Sequence, residues 1–209
     1  AQRLQEGIRM PEIAIPTPHL VDSSLSTRPK SLLRSILRDA TAADHARLDT
    51  ALGARDLCTV PGYRRFLEIN AAALLPLERS LERAGVRAVL PDWDDRARTA
   101  AILSDLARLG GRPRPLDTPE LTGRSAMLGT LYVLEGSRLG AAHLLRTVRA
   151  CSDPLISGTT AFLGHGAGRQ FWPHYLAALE AHADEVAEGD LVGSTRATFG
   201  LFTHAATPS

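Results

Sequence analysis

The sequence predicts an all-α protein with a single domain, and three observations carry that reading. Apolar residues return at spacings of three, four and seven through most of the chain, as in helices that bury one face. No window alternates apolar and polar residues between turn signals, as a half-buried strand would. A chain of 209 residues is long enough for one sizeable core and short for two.

The elements follow in order. Residues 1–30 mix four prolines with serine and threonine and hold no sustained period, so they are expected to be an accessory or flexible extension. The helical domain is expected over residues 31–209. Ser31 can cap a helix over 31–52, where Leu33, Leu37, Leu48 and Leu52 share a face and Gly53 ends the run. A second helix is expected over 61–84, kinked by Pro76 and closed by Gly85, and a third over 92–109, before the connector "GGRPRPLDTPE". A long fourth helix covers about 119–150. The stretch "CSDPLISGTTAFLGHGAG" reads as a loop with a short helical turn. The last helices are expected over 169–188, with Pro173 in the first turn, and over 191–205.

Composition narrows the function classes. With 44% apolar and 22% charged residues the chain reads as a soluble globular protein, and a net charge of +1 gives no general reason to expect nucleic acid or an anionic membrane as partner. Cys58 and Cys151 form no CxxC pair and no zinc-ligand spacing, so neither a disulfide nor a structural metal is expected, and a reduced cytoplasmic setting is. No long apolar run or signal-peptide pattern predicts membrane insertion or secretion.

The fourth helix carries the most informative stretch, "GTLYVLEGSRLGAAHLL". Each glycine costs a helix interior about 1 kcal/mol against alanine, so three of them ask for a reason. Gly129, Val133, Gly136, Gly140 and His143 are spaced by 4, 3, 4 and 3 and form one narrow stripe, a trough nearly free of side-chain bulk. Two uses are open: close packing of another helix, or a flat ligand lying against backbone. The first helix bears on the choice through "LRDATAADHARLD". His45 sits at the border of its apolar stripe, where it is either a border histidine or a metal ligand. Arg38 lies two turns earlier on the same side, suited to hold a carboxylate. Together these features describe a slot with an axial ligand on one wall, a flat floor on the other and a cation at its mouth. Haem has the matching shape: planar, iron-centred, largely apolar, with two propionates on one edge.

These stretches also carry a resemblance. From about Ser31 to His204 the chain resembles bacterial haem oxygenases, especially those found beside bacteriophytochromes. "ATAADHARLD" resembles the family's proximal helix, with the iron-ligating histidine falling on His45. "GTLYVLEGSRLGAA" resembles the distal helix, whose Gly-Ser-x-Leu-Gly segment crosses over the haem, and "YRRFLEI", "LSDLARLG", "GRQFWPHYLAALEAH" and "ATFGLF" resemble the remaining helices. The resemblance implies the single-domain haem oxygenase-like helical fold and oxidative opening of haem (heme b) to biliverdin, carbon monoxide and ferrous iron. It also implies use of O2 and of external electrons from a reductase or ferredoxin, with a biliverdin-binding phytochrome as a candidate partner.

Carried over by position, His45 is the metal ligand, Gly136, Ser137 and Gly140 are distal contacts with catalytic weight, and Arg38 and Tyr132 bind the cofactor near a propionate. Arg138 and His143 depart from the family pattern, standing where some relatives have asparagine and an aromatic residue. Ser137 can instead bond back to the preceding turn, and Tyr132 and Trp172 can be core aromatics. His165 reads as a loop surface residue, His174, His182 and His204 lack a Glu-x-x-His partner pattern, and Cys58 reads as a small buried residue. A haem-binding or haem-transfer protein without turnover is the alternative that the same slot would serve.

Overall fold

The computed structural model describes residues 32–53, 55–118 and 120–207. The expected extension over residues 1–30 and the Ser31 cap lie outside them. Among the described residues the fold is all-α, with nine α-helices: α1 (Leu32–Gly53), α2 (Val60–Arg83), α3 (Trp93–Arg96), α4 (Thr99–Arg108), α5 (Gly123–Arg149), α6 (Pro154–Ser157), α7 (Ala161–Gly164), α8 (Phe171–Ala181) and α9 (Glu188–Ala206).

The organising element is α9, which packs most extensively against α5 and α1 and also against α2. Its Leu191, Thr195, Phe199 and Phe202 are buried, and they join Leu37 of α1, Leu67 and Leu74 of α2, and Leu128 and Leu131 of α5 in the core. Inside this interior most buried polar side chains have partners, Arg98 Nε being the exception among the described residues. The fully buried Tyr63 and Tyr175 donate their hydroxyls to the carbonyls of Thr159 and Leu128 at 2.8 and 2.9 Å. Burial also raises the pKa of both phenols, which stay neutral.

Several expected boundaries move, each for a local reason. Thr59 caps α2, accepting the Gly62 N–H, so that helix begins at Val60. Pro76 sits inside an α2 that continues to Arg83. Proline lacks the N–H that would bond to the carbonyl of Ala72, and that carbonyl instead accepts the Leu116 N–H from the connector at 2.8 Å. The third predicted helix is two helices, because the chain turns to extended geometry at Ala97 (φ −58°, ψ 129°). Glu78 of α2 stabilises the new start: its carboxylate accepts from the Arg98 N–H, the Thr99 N–H and the Thr99 hydroxyl. The fourth predicted helix starts only at Gly123, whose φ of +80° favours glycine. The single turn expected in the 151–168 loop is two short helices, α6 and α7. Helix α8 ends at Ala181 rather than 188, and α9 starts at Glu188.

The cysteines overturn the sequence expectation. Cys58 and Cys151 are disulfide-bonded, with Cα atoms 5.3 Å apart, and the bond ties the segment before α2 to the residue just beyond the α5 C-cap. Nothing in the local spacing marked the pair, since 93 residues separate the two positions.

Candidate functional site

The stripe of glycines on α5 divides into two parts with different surroundings. At Gly129 a Cβ would lie 2.0 Å from Ser194 Oγ and 2.5 Å from the Leu191 carbonyl, so this glycine lets α9 approach α5. Here helix packing, the plainer of the two readings, is the answer. At Gly136 a Cβ would touch only the Trp172 ring, at 3.5 Å, and at Gly140 it would meet nothing within 4 Å. The trough is therefore open only over its second half.

Three side chains flank that open half. On a wheel of about 100° per residue, Leu139 and His143 fall within about 60° of Gly136. Leu139 is 45% exposed, a large apolar side chain without a protein partner to cover it. His143 is partly buried, with Nδ1 at 3.3 Å from the Arg146 guanidinium. Tyr132, half-buried one turn before Gly136, packs edge-to-face on Trp172 at 5.6 Å. Burial raises its pKa, with Arg34 and Arg38 of α1 acting in the opposite sense.

Helix α1 packs on α9 and carries the candidate ligand. His45 is about half exposed, its ring edge-to-face with Phe199 at 5.8 Å, and its Nδ1 lies 2.9 Å from Asp49 Oδ2. A carboxylate on one ring nitrogen fixes the ring and leaves Nε2 as the nitrogen able to bind a metal. Among the described residues no group of three or more His, Cys, Asp or Glu side chains could hold a metal. A lone histidine such as His45 would suit an iron whose other ligands come from a macrocycle. Arg38 is half exposed and its Nε donates to Asp39 at 2.8 Å, so its charge already has a partner.

Ser137 is placed differently from the open glycines. Its hydroxyl donates to the Leu134 carbonyl at 2.7 Å and accepts from Arg98 at 3.1 Å. Arg138 likewise turns to the helix's rear side, donating to both carboxylate oxygens of Glu135 and to the Arg96 carbonyl. His165, expected as a surface residue, is partly buried against Arg138. Burial and the neighbouring Arg138 and Arg98 hold its pKa below the ordinary value.

Sequence reasoning missed the polar cluster behind α5. Arg96, fully buried, bonds both oxygens of Asp92, Glu135 Oε2 at 2.8 Å and the Phe171 carbonyl. Arg96 and Arg138 both lie over the Phe171 ring, at 4.6 and 5.0 Å. Arginines are usually exposed, so residue type alone gave no hint that these are interior.

The helical architecture has counterparts among known proteins. The chain superposes with a TM-score of 0.65 on the NO- and CO-bound haem oxygenase from Neisseria meningitidis, at 22% identity over 83% of this chain and 89% of that one. The all-α fold is therefore that of haem oxygenase. In sequence it is 28% identical over 144 residues, 67% of this chain and 86% of the other, to a haem oxygenase from Xanthomonas campestris pv. campestris strain 8004. No protein-family model matches the chain. Sequence and fold together support the haem oxygenase family.

Proposed function

We propose that this protein is a haem oxygenase, opening haem to biliverdin with release of carbon monoxide and ferrous iron, at the expense of O2 and electrons from a reductase or ferredoxin. One observation carries the reading. A Cβ at Gly140 would meet no protein atom within 4 Å, the uncovered Leu139 stands beside this open stretch of α5, and α1, packed on α9, presents a histidine with one ring nitrogen available.

The residues present fit haem. His45 would hold the iron through Nε2, with Asp49 keeping the ring in place. Gly136 and Gly140 would bring α5 backbone close over the opposite face, and Leu139 would cover part of the apolar macrocycle. Arg38 and Tyr132 would meet a propionate, which competes with Asp39 for the guanidinium. When bound, haem supplies both the iron that activates O2 and the ring that is cut. The protein's part is to orient the ring, to limit the room above it with backbone, and to keep competing side-chain nucleophiles away. Ser137, at the edge of the trough, would contribute through its bonds to the Leu134 carbonyl and Arg98.

Three finer points belong to the same proposal: a phytochrome that accepts biliverdin, kinship with the bacteriophytochrome-associated enzymes, and a cytoplasmic site of action. The Cys58–Cys151 bond counts against the last of these, because a cytosolic thiol pool favours its reduction.

The experiment is anaerobic loading with haemin, followed by reductant and O2. Appearance of the biliverdin absorbance with loss of the haem band is the expected result. Haem that stays intact through both additions assigns the protein to haem binding or transfer instead.

A further inference from the structure

Arg98 is a buried cation without an ion-pair partner. Only 4% of it is exposed, and no carboxylate lies in salt-bridge contact with its guanidinium among the described residues. Its Nε is the one buried side-chain atom found without a hydrogen-bond partner among the described residues. Burying a guanidinium this way is costly unless its geometry is used. Burial also pulls its pKa down to about 10, while leaving it protonated at neutral pH.

Both hydrogen bonds of that guanidinium fall on one turn of α5. One terminal nitrogen donates to the Leu134 carbonyl at 3.0 Å and the other to Ser137 Oγ at 3.1 Å. Ser137 passes its own proton to the same Leu134 carbonyl at 2.7 Å. A carbonyl oxygen offers two lone pairs, and here two side-chain donors claim them. Two fixed side-chain donors on that carbonyl tie this turn of α5 to α4 just where the glycine segment begins.

Arg98 is itself anchored from behind. Its main-chain N–H donates to Glu78 Oε1 at 2.8 Å, and its guanidinium lies over the Phe162 ring at 5.3 Å. A chain of contacts thus runs from the interior of α2, through Arg98, to the rear of α5. On the helical wheel Leu134 and Ser137 fall about 160° and 100° from Gly136. Leu134 is thus turned away from the open trough, while Ser137 stands at its edge, about 60° from Gly140.

We infer that Arg98 is a positioning residue that sets the location of the Gly136–Gly140 backbone over the bound ring, and through it the choice of the carbon that is opened. This rests on the proposed haem oxygenase function. It assigns no contact between Arg98 and haem. The two glycines give the segment no side-chain packing on the trough side, so its anchors lie elsewhere: the Arg138 contacts to Glu135 and Phe171, and the Arg98 fork with its two fixed points.

The test compares wild type with Arg98→Met, which keeps the length of the arm without its donors, and with Arg98→Lys, which keeps the charge without the fork. Amide hydrogen exchange of the haem-free protein is the first readout. Exchange should quicken by about tenfold in Arg98→Met across Gly136–Gly140, with residues 123–131 near wild type, since the lost bonds are local. Arg98→Lys should show a smaller local rise, and it carries the test should Arg98→Met fail to fold. The second readout is the ratio of biliverdin isomers by chromatography, which should broaden in the same order. Unchanged exchange at Gly136–Gly140, a rise spread evenly over α4 and α5, or an isomer ratio equal to wild type would overturn the assignment. If wild type itself forms no biliverdin, the proposed function fails and the choice-of-carbon claim falls with it. The exchange result still shows separately whether Arg98 holds the segment.

Discussion

At the level of single residues, the carboxylate of Asp49 against His45 Nδ1 sets the pH at which the imidazole can act as a ligand. The hydrogen bond that His45 Nδ1 donates to the Asp49 carboxylate raises the His45 pKa above its ordinary 6.5. The protonated pair therefore contributes stability to the haem-free fold that is fully present below 6.5 and is lost as pH rises through the higher folded value. Haem binding has the opposite sense, because only the neutral ring can take up iron. Affinity should fall as pH drops through the raised pKa, and in Asp49→Asn the fall should begin at a lower pH. Haemin titrations across a pH series check this, and coincident curves for the two proteins would remove Asp49 from the account. His45 was legible from sequence because its distance from Leu33 and Leu37 places it at the edge of a buried stripe. Asp49, one turn on, was equally within reach of the helical spacing and was passed over.

Single helices show where sequence spacing stops being informative. Gly129 and Gly140 occupy one stripe by arithmetic, yet one is pressed against α9 and the other faces open space. What lies across a helix is decided by residues far along the chain, and spacing does not report it. The two glycines should accordingly answer substitution in opposite ways. Gly129→Ala places a Cβ within 2.5 Å of the Leu191 carbonyl and should destabilise the fold by roughly 1–3 kcal/mol. Gly140→Ala meets nothing, and the better helix propensity should stabilise by up to about 1 kcal/mol. Gly140→Leu should leave the protein folded and abolish turnover by filling the roof. Chemical denaturation of the two alanine variants, with turnover of the leucine variant, tests the division. Equal stability changes at both positions would contradict it. The break between α3 and α4 was hidden for the same reason, since the carboxylate that caps α4 comes from Glu78, about twenty residues upstream.

For the whole molecule, the helical class was readable because it rests on local periodicity, whereas the fastening of the helices was not. The Cys58–Cys151 bond closes a loop across 93 positions and joins the entry to α2 with the end of α5. Constraining a loop of that size in the unfolded chain contributes roughly 2–5 kcal/mol. Reduction, or replacement of both cysteines by serine, should lower the unfolding midpoint accordingly, and a midpoint unchanged by reductant would show that the link adds nothing in solution. Since α5 carries the proposed roof, the comparison should be made with and without haemin.

The central claim is that the slot between α1 and α5 binds haem through His45. Its most direct measurement is a spectrophotometric titration of haemin into wild type and His45→Ala side by side. The account predicts one haem per wild-type chain with a histidine-ligated spectrum, and in the variant weaker binding without that spectrum. A His45→Ala protein that binds one haem with the wild-type spectrum would place the ligand elsewhere and contradict the site.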